Sequence, residues 1–347
     1  MFSHASGPLG RIERVRELMD ERGYDAVIIR DEANLRWLTG AEGVFDYTGE
    51  LPHAAFITAS NTFLHTDSRY YNSFIEHLPA DSPWVLDMEV ISIPRWAAER
   101  ARDAKCRVVA VEDTMELSFY DGLVRGLEDL SIGALLPQMH GDLRLMRAVK
   151  DEEEIALMKR AQAITDAAFA HMLEFIRPGL TEKQIKLELE NFMFENGADG
   201  LAFGSIVAAG PNAANPHAIP SDRPVQKGEF VLMDYGARYH DYDSDMTRTV
   251  AVGEPSAKMR EIYDLVQRTH EECAKAVYAG VDGNEIHELP NFGRTHNTVG
   301  EGSVVTIEPG VYLPGEFGVR LEDYGLVTAQ GFAPFTQSPH DLQVIDC

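Results

Sequence analysis

Four acidic residues stand within, or at the ends of, runs that otherwise read as buried β-strand. They are Asp234 in Val231-Leu232-Met233-Asp234-Tyr235-Gly236, Asp245 in Ser244-Asp245-Met246-Thr247, Glu308 in Val305-Thr306-Ile307-Glu308-Pro309 and Glu322 in Val319-Arg320-Leu321-Glu322. Burying one ionised carboxylate without a partner costs several kcal/mol, so a fold that buries four must supply cations or push the acids toward their neutral form. Two divalent ions would cancel four negative charges. Asp234 and Asp245 are eleven residues apart around Gly236 and Tyr239-His240-Asp241, and Glu308 and Glu322 are fourteen apart around Pro309-Gly310 and Pro314-Gly315. Each spacing is compatible with a hairpin that turns its two acids toward one another. An oxygen-rich ligand set suits Mn2+, Co2+, Zn2+ or Fe2+, and a closely spaced pair of such ions can ready a water-derived nucleophile at neutral pH. Taken singly, each acid reads more simply as a surface charge or ion-pair partner; the combination is what points to metal.

The remaining patterns set these strands in a two-domain chain. Residues Arg11 to Arg22 place Ile12, Val15, Leu18 and Met19 at helical spacing before Gly23, and Ala26-Val27-Ile28-Ile29 follows as a buried strand. Further strands are expected at Ala55–Thr58, Thr62–His65 and Arg107–Val111, with a helix from Ser68 to Leu78, which makes the first half an α/β domain. A junction falls near Met146 to Asp151, where an acidic first turn opens a long helix. Thr181 and Gln184 form a capping-box pattern for a second helix. Strands are then expected at Phe230–Asp234, Met246–Val252, Val304–Glu308 and Val319–Thr328, interrupted by a helix from Ser256 to Ala279.

Lys and Arg number 31 against 56 Asp and Glu, a net charge of -25 that repels phosphate backbones and anionic lipid surfaces. Nucleic acid and membrane partners are not expected. No run is long and apolar enough to span a bilayer and the opening residues lack a signal-peptide core, so a cytoplasmic protein is expected. Cys106, Cys273 and Cys347 have no metal-site spacing and read as reduced thiols, two of them buried.

Histidines are the next candidates. His217 follows a loop rich in Gly and Asn, His287 lies in Glu285-Ile286-His287-Glu288, and His296 lies in a polar loop. Arg320, two residues before Glu322, would share its sheet face and balance local charge, although a plain ion pair explains it equally well.

Three stretches carry a resemblance: NPHAIPSDRPVQKGEFVLMDYGARYHDYDSDMTRT, EIHELPNFGRT and VVTIEPGVYLPGEFGVRLEDYGLVT. With Asn34–Gly40 and His65–Tyr70 in the first half, they make the whole chain resemble the creatinase and prolidase family of metallopeptidases. The resemblance implies a creatinase-like α/β N-terminal domain over 1–147 and an α+β pita-bread metallopeptidase domain over 148–347. It implies two divalent metal ions held by Asp234, Asp245, Glu308 and Glu322; in the mechanism expected from this, Glu308 shuttles a proton from nucleophile to leaving nitrogen. His217 matches the histidine near the leaving group and His287 the one that stabilises the tetrahedral intermediate. The implied activity is hydrolysis of Xaa-Pro bonds in short proline-containing peptides, as a dipeptidase or aminopeptidase P, usually in a homodimer. The alternatives are a small-molecule amidohydrolase on the same fold, either a metal-free one resembling creatinase or a hydrolase of small compatible solutes, and a non-catalytic or impaired peptidase-like binding protein.

The resemblance breaks at Gly280 to Glu285. There the family places several dozen more residues, including a strand that brings a metal-binding histidine; no position here matches it, and neither His270 nor His296 is assigned that role. Either the protein carries a segment that this sequence omits, or it lacks one. The former is favoured, because a true deletion would expose sheet edges while leaving four costly carboxylates in place.

Overall fold

The computed structural model describes residues 7–45, 52–88, 91–283 and 298–347. His287 and His296 lie outside them, as do residues 284 and 285 of the stretch 280–285 on which the omitted-segment expectation falls. The chain divides into two compact units, Met1–Arg147 and Ala148–Cys347.

In the first unit the strand Ala26–Ile29 is buried along its whole length. Its alternating side chains serve two cores: Val27 and Ile29 pack with Ile12, Val15 and Leu18 of the helix Gly7–Arg22, while Ala26 and Ile28 pack with Trp96, Ala97 and Leu123. A strand covered on both faces reads as an unbroken apolar run, which is why no polar alternation is visible there. It lies antiparallel to Ala54–Thr58 and parallel to Val109–Val111, inside a five-stranded sheet whose far edge is Thr62–His65 and Val85–Asp87.

In the second unit two helices, Glu152–Phe175 and Glu182–Glu195, each open with a full capping box, Asp151 with Glu154 and Thr181 with Gln184. They cover one face of a four-stranded sheet ordered Val344–Ile345, Met246–Val252, Glu229–Tyr235, Ile206–Ala209. Val231 and Met233 point into that helical core with Ile164, Phe169, Ile185 and Leu189. Phe230 points to the other face, against Tyr263 and Val266 of the helix Ala257–Ala276 and against Val319 and Leu321. By the same alternation Asp234 faces away from the helical core.

Several expected elements are shorter than their patterns. The run Val319–Thr328 is two strands, Phe317–Arg320 and Asp323–Thr328, because the Glu322 N–H leaves the ladder to donate to the Thr247 carbonyl at 3.1 Å. The helix expected to reach Ala279 ends at Ala276, and Ala279 N–H bonds instead to the Thr328 carbonyl on the sheet. The helix expected from Ser68 starts at Tyr71, since the Asp67 side chain accepts from Arg69 N–H and holds a turn. On either side of 284–297 the chain is tied together: Gly280 N–H donates to Val299 O at 2.8 Å and Val299 N–H to Val281 O at 3.0 Å. No helix among the described residues is long and apolar enough to cross a membrane.

Candidate metal centre

Two interrupted hairpins build the site. In the first, Glu229–Tyr235 pairs antiparallel with Met246–Val252, with Asp234 opposite Thr247 and Tyr235 opposite Met246. The link runs through a small hairpin, Ala237–Tyr239 against Tyr242–Asp243, closed by His240 and Asp241, both left-handed at φ 49° and 64°. That is the two-residue turn whose twist suits a hairpin. Gly236 allows the junction: a Cβ there would lie 1.9 Å from the Ser244 carbonyl oxygen. Asp245 thus falls just before the second strand, beside Asp234.

In the second hairpin Val304–Ile307 pairs with Asp323–Thr328, and beyond a gap Gly310–Leu313 pairs with Phe317–Arg320. Glu308 and Glu322 both sit in that gap, between the two ladders. The Glu322 N–H bond to Thr247 stitches this hairpin onto the first, so Asp234 and Glu322 meet over one threonine.

Asp234, Asp245 and Glu322 each present a carboxylate oxygen, and these oxygens all lie within 4.8 Å of one another. Around them the compensation is sparse. Arg320, 5% exposed, donates from Nη2 to Asp234 Oδ2 at 2.5 Å and from Nε to Thr247 Oγ1 at 2.9 Å. Its Nη1 reaches the Tyr312 hydroxyl at 2.7 Å and the Pro216 carbonyl at 3.3 Å. The Thr247 hydroxyl donates to Glu322 Oε2 at 2.7 Å. Asp234 Oδ1 is buried with no hydrogen-bond partner.

The electrostatics follow. Burial, reinforced by the charges of Asp234 and Glu308, pushes the Asp245 carboxyl up to about 7. Burial and the neighbouring Asp245 drive Glu322 well above the ordinary carboxylate range. Asp234 is raised by burial even though Arg320 opposes it. Three acids that resist ionising in one another's company, with an orphaned buried oxygen among them, fit divalent cations: the donors are oxygen and the missing charge is positive.

The other sequence candidates are placed differently. Glu308 is exposed and stands outside the tight trio; its Oε1 accepts from Thr306 Oγ1 at 3.0 Å, while its charge is still felt by Asp234, Asp245 and Glu322. The strand expected to end on Glu308 stops at Ile307, and the ladder gap frees the side chain to turn outward. His217 is exposed, close enough for its charge to act on Asp234, on a loop that Arg320 holds by the Pro216 carbonyl. His287 is outside the described residues. Sequence reasoning missed Thr247 and Tyr312; the register of Thr247 opposite Asp234 is the signal that could have found the first.

The family model described as metallopeptidase family M24 matches in two stretches, residues 156–291 and 283–329, and the creatinase/prolidase N-terminal domain matches residues 11–149. An uncharacterized peptidase of Bacillus subtilis is 31% identical over 96% of this chain and 100% of its own length. A Xaa-Pro dipeptidase of Pyrococcus horikoshii is 29% identical over 96% of this chain and 98% of its own. Among solved structures, a Xaa-Pro dipeptidase from Bacillus anthracis superposes with a TM-score of 0.88 at 31% identity, covering 97% of this chain and 100% of that one. An X-Pro aminopeptidase from Thermotoga maritima gives 0.82 at 29%, covering 94% and 99%.

Proposed function

The chain belongs to metallopeptidase family M24, and from that premise we propose that it hydrolyses the peptide bond preceding proline in short peptides. The observation that carries this reading is the trio Asp234, Asp245 and Glu322, whose oxygens lie within 4.8 Å with too little positive charge around them. Asp234, Asp245, Glu308 and Glu322 would hold two divalent ions, Mn2+ first among the candidates and Co2+, Zn2+ or Fe2+ after it. When bound, such ions supply Lewis acidity and bring water to a nucleophilic state at neutral pH.

The protein's own groups divide the remaining work. Glu308, exposed at the edge of the trio, takes a proton from the attacking water and returns it to the leaving nitrogen. His217, on the exposed loop beside Asp234, lies on the leaving-group side, and His287 steadies the charge that develops on the carbonyl oxygen. Arg320 offsets the Asp234 charge and fixes the Thr247 hydroxyl and the His217 loop, so it positions without touching the reacting atoms. A homodimer in the cytoplasm, and a natural protein longer than this sequence near residues 280–285, belong to the same reading; the intact mass of the purified protein tests the latter.

Incubation of the purified protein with Xaa-Pro dipeptides and with longer Xaa-Pro peptides tests the activity. Cleavage only when Mn2+ is supplied, freeing proline from the dipeptides or the N-terminal residue from the longer peptides, is the expected result. A protein that binds Mn2+ yet cleaves neither substrate would overturn the peptidase reading in favour of a small-molecule amidohydrolase or of the non-catalytic reading, for which the unmatched metal histidine speaks.

A further inference from the structure

Glu322 and Asp323 are consecutive but serve opposite faces. Glu322 takes its hydrogen bond from Thr247, whereas Asp323 takes one from Arg248, the next residue of the same strand, at 2.8 Å. On that second face Asp323 meets two imidazoles. His340, in the C-terminal segment, has Nε2 2.8 Å from Asp323 Oδ2, and His270, on the helix Ala257–Ala276, has Nε2 3.7 Å from the same oxygen. The three donor atoms all lie within 4.8 Å of one another.

An ion-pair network accounts for part of this. Arg248 holds Asp323 Oδ1, and its guanidinium and Nε also bind the carbonyls of Ser338 and Pro339 at 2.8 and 3.1 Å. It does not account for His270, which is 2% exposed and has its Nε2 buried without a hydrogen-bond partner, aimed at an oxygen already in use. A buried polar atom left unpaired costs roughly 1–3 kcal/mol. Burial also pushes the His270 imidazole down to about 4, so at neutral pH its ring is uncharged and offers a lone pair.

We propose that His270, Asp323 and His340 form a mononuclear site for a nitrogen-preferring divalent ion of the Zn2+ class, separate from the carboxylate centre. Ligand bonds of about 2.0–2.2 Å at tetrahedral angles set neighbouring donors about 3.4 Å apart, so the His270 distance is nearly right and His340 must withdraw by about half an ångström. His340 is free to do so, being 33% exposed, and its side is where the ion would enter and where water would take the fourth position. The surrounding groups are already in place: Arg248 orients the carboxylate from its other oxygen, and the Tyr263 hydroxyl donates to the His340 carbonyl at 2.9 Å. Two imidazoles and one carboxylate oxygen disfavour Mn2+, Mg2+ and Ca2+, which separates this site from an all-oxygen one. Bound metal would staple the C-terminal segment to the helix Ala257–Ala276.

Zn2+ binding to chelator-stripped full-length protein tests this, with Asp245→Ala compared against Asp245→Ala/His340→Ala. The first should keep one Zn2+ equivalent that the second loses, and Zn2+ should raise the melting temperature of the first alone, by about 5 °C at a hundredfold excess over Kd. Co2+ in the same site should show the intense visible bands of a four-coordinate, nitrogen-ligated ion, absent from the double variant and from His270→Asn. His340→Ala alone should retain whatever Mn2+-dependent hydrolysis the native protein has, which keeps this test apart from that of the peptidase. Equal Zn2+ stoichiometry in the two Asp245→Ala chains, or Co2+ bands that survive loss of His340, would overturn the proposal.

Discussion

Glu112 in the first unit and Glu322 in the second are both buried acids, 4% and 2% exposed, yet their surroundings differ in kind. Glu112 accepts from the Arg30 N–H at 2.7 Å, the Asp31 N–H at 2.9 Å and the Asn34 amide at 2.8 Å. Glu182, 0% exposed in the second unit, is as well served, by Ala209 N–H, the Asn212 amide and both the N–H and hydroxyl of Ser221. Glu322 has the Thr247 hydroxyl on one oxygen and faces two further acids. Burial therefore does not mark a metal centre. What marks it is acids brought together without the donors that a structural carboxylate collects around itself.

If that contrast is right, removing the two kinds of acid has opposite consequences. Asp245→Ala should lower turnover at least about a thousandfold, the loss of several kcal/mol of transition-state stabilisation, while the chain stays folded. Full activity in that variant would break the comparison. Glu112→Ala should leave turnover per folded molecule unchanged and cost about 2–4 kcal/mol of stability in urea titrations, because buried donors are orphaned.

The pH dependence of the metal-free protein sharpens the point. Asp245 is raised to about 7 when folded, against an ordinary 3.8, so between those values the folded state holds the extra proton. Its contribution is present in full below about pH 4 and is lost as pH rises through about 7, by an amount on the order of 2–4 kcal/mol. Asp245→Asn should flatten this decline, and added divalent metal should reverse it; a metal-free protein that gains stability across that range would contradict the charge assignment. Thr247→Val is the mildest change, removing only the hydroxyl that links Arg320 to Glu322. It should weaken metal affinity about 10- to 100-fold, measured by competition with a chelator.

Much of the architecture was legible because its signals are local. The capping box at Thr181 needs only four residues, the acidic first turn after Asp151 marks the start of the long helix, and the strand Met246–Val252 announces itself by composition. The approach of Asp234 to Asp245 was readable too, since the turn residues Gly236 and Tyr239-His240-Asp241 between them are compatible with a hairpin, although it is Thr247 that stands opposite Asp234 in the ladder. What stayed hidden depends on partners distant in sequence. The break at Leu321–Glu322 exists because Glu322 bonds to Thr247, 75 positions away by the side-chain contact and invisible to any periodicity. Glu308 read as a strand end like the others, and only the gap between two ladders explains why it is exposed. His270 looked like one more helix residue until the fold laid Asp323 and His340 beside it.

Mn2+ titration of the stripped protein near pH 7, with bound metal and released protons followed together, bears most directly on the carboxylate trio. Binding of about two Mn2+ per chain with net proton release, both abolished in Asp245→Ala, is the expected result, because ions would displace the protons that Asp245 and Glu322 retain. A native protein that takes up no Mn2+, or an Asp245→Ala variant that takes up as much and releases as many protons, would contradict it.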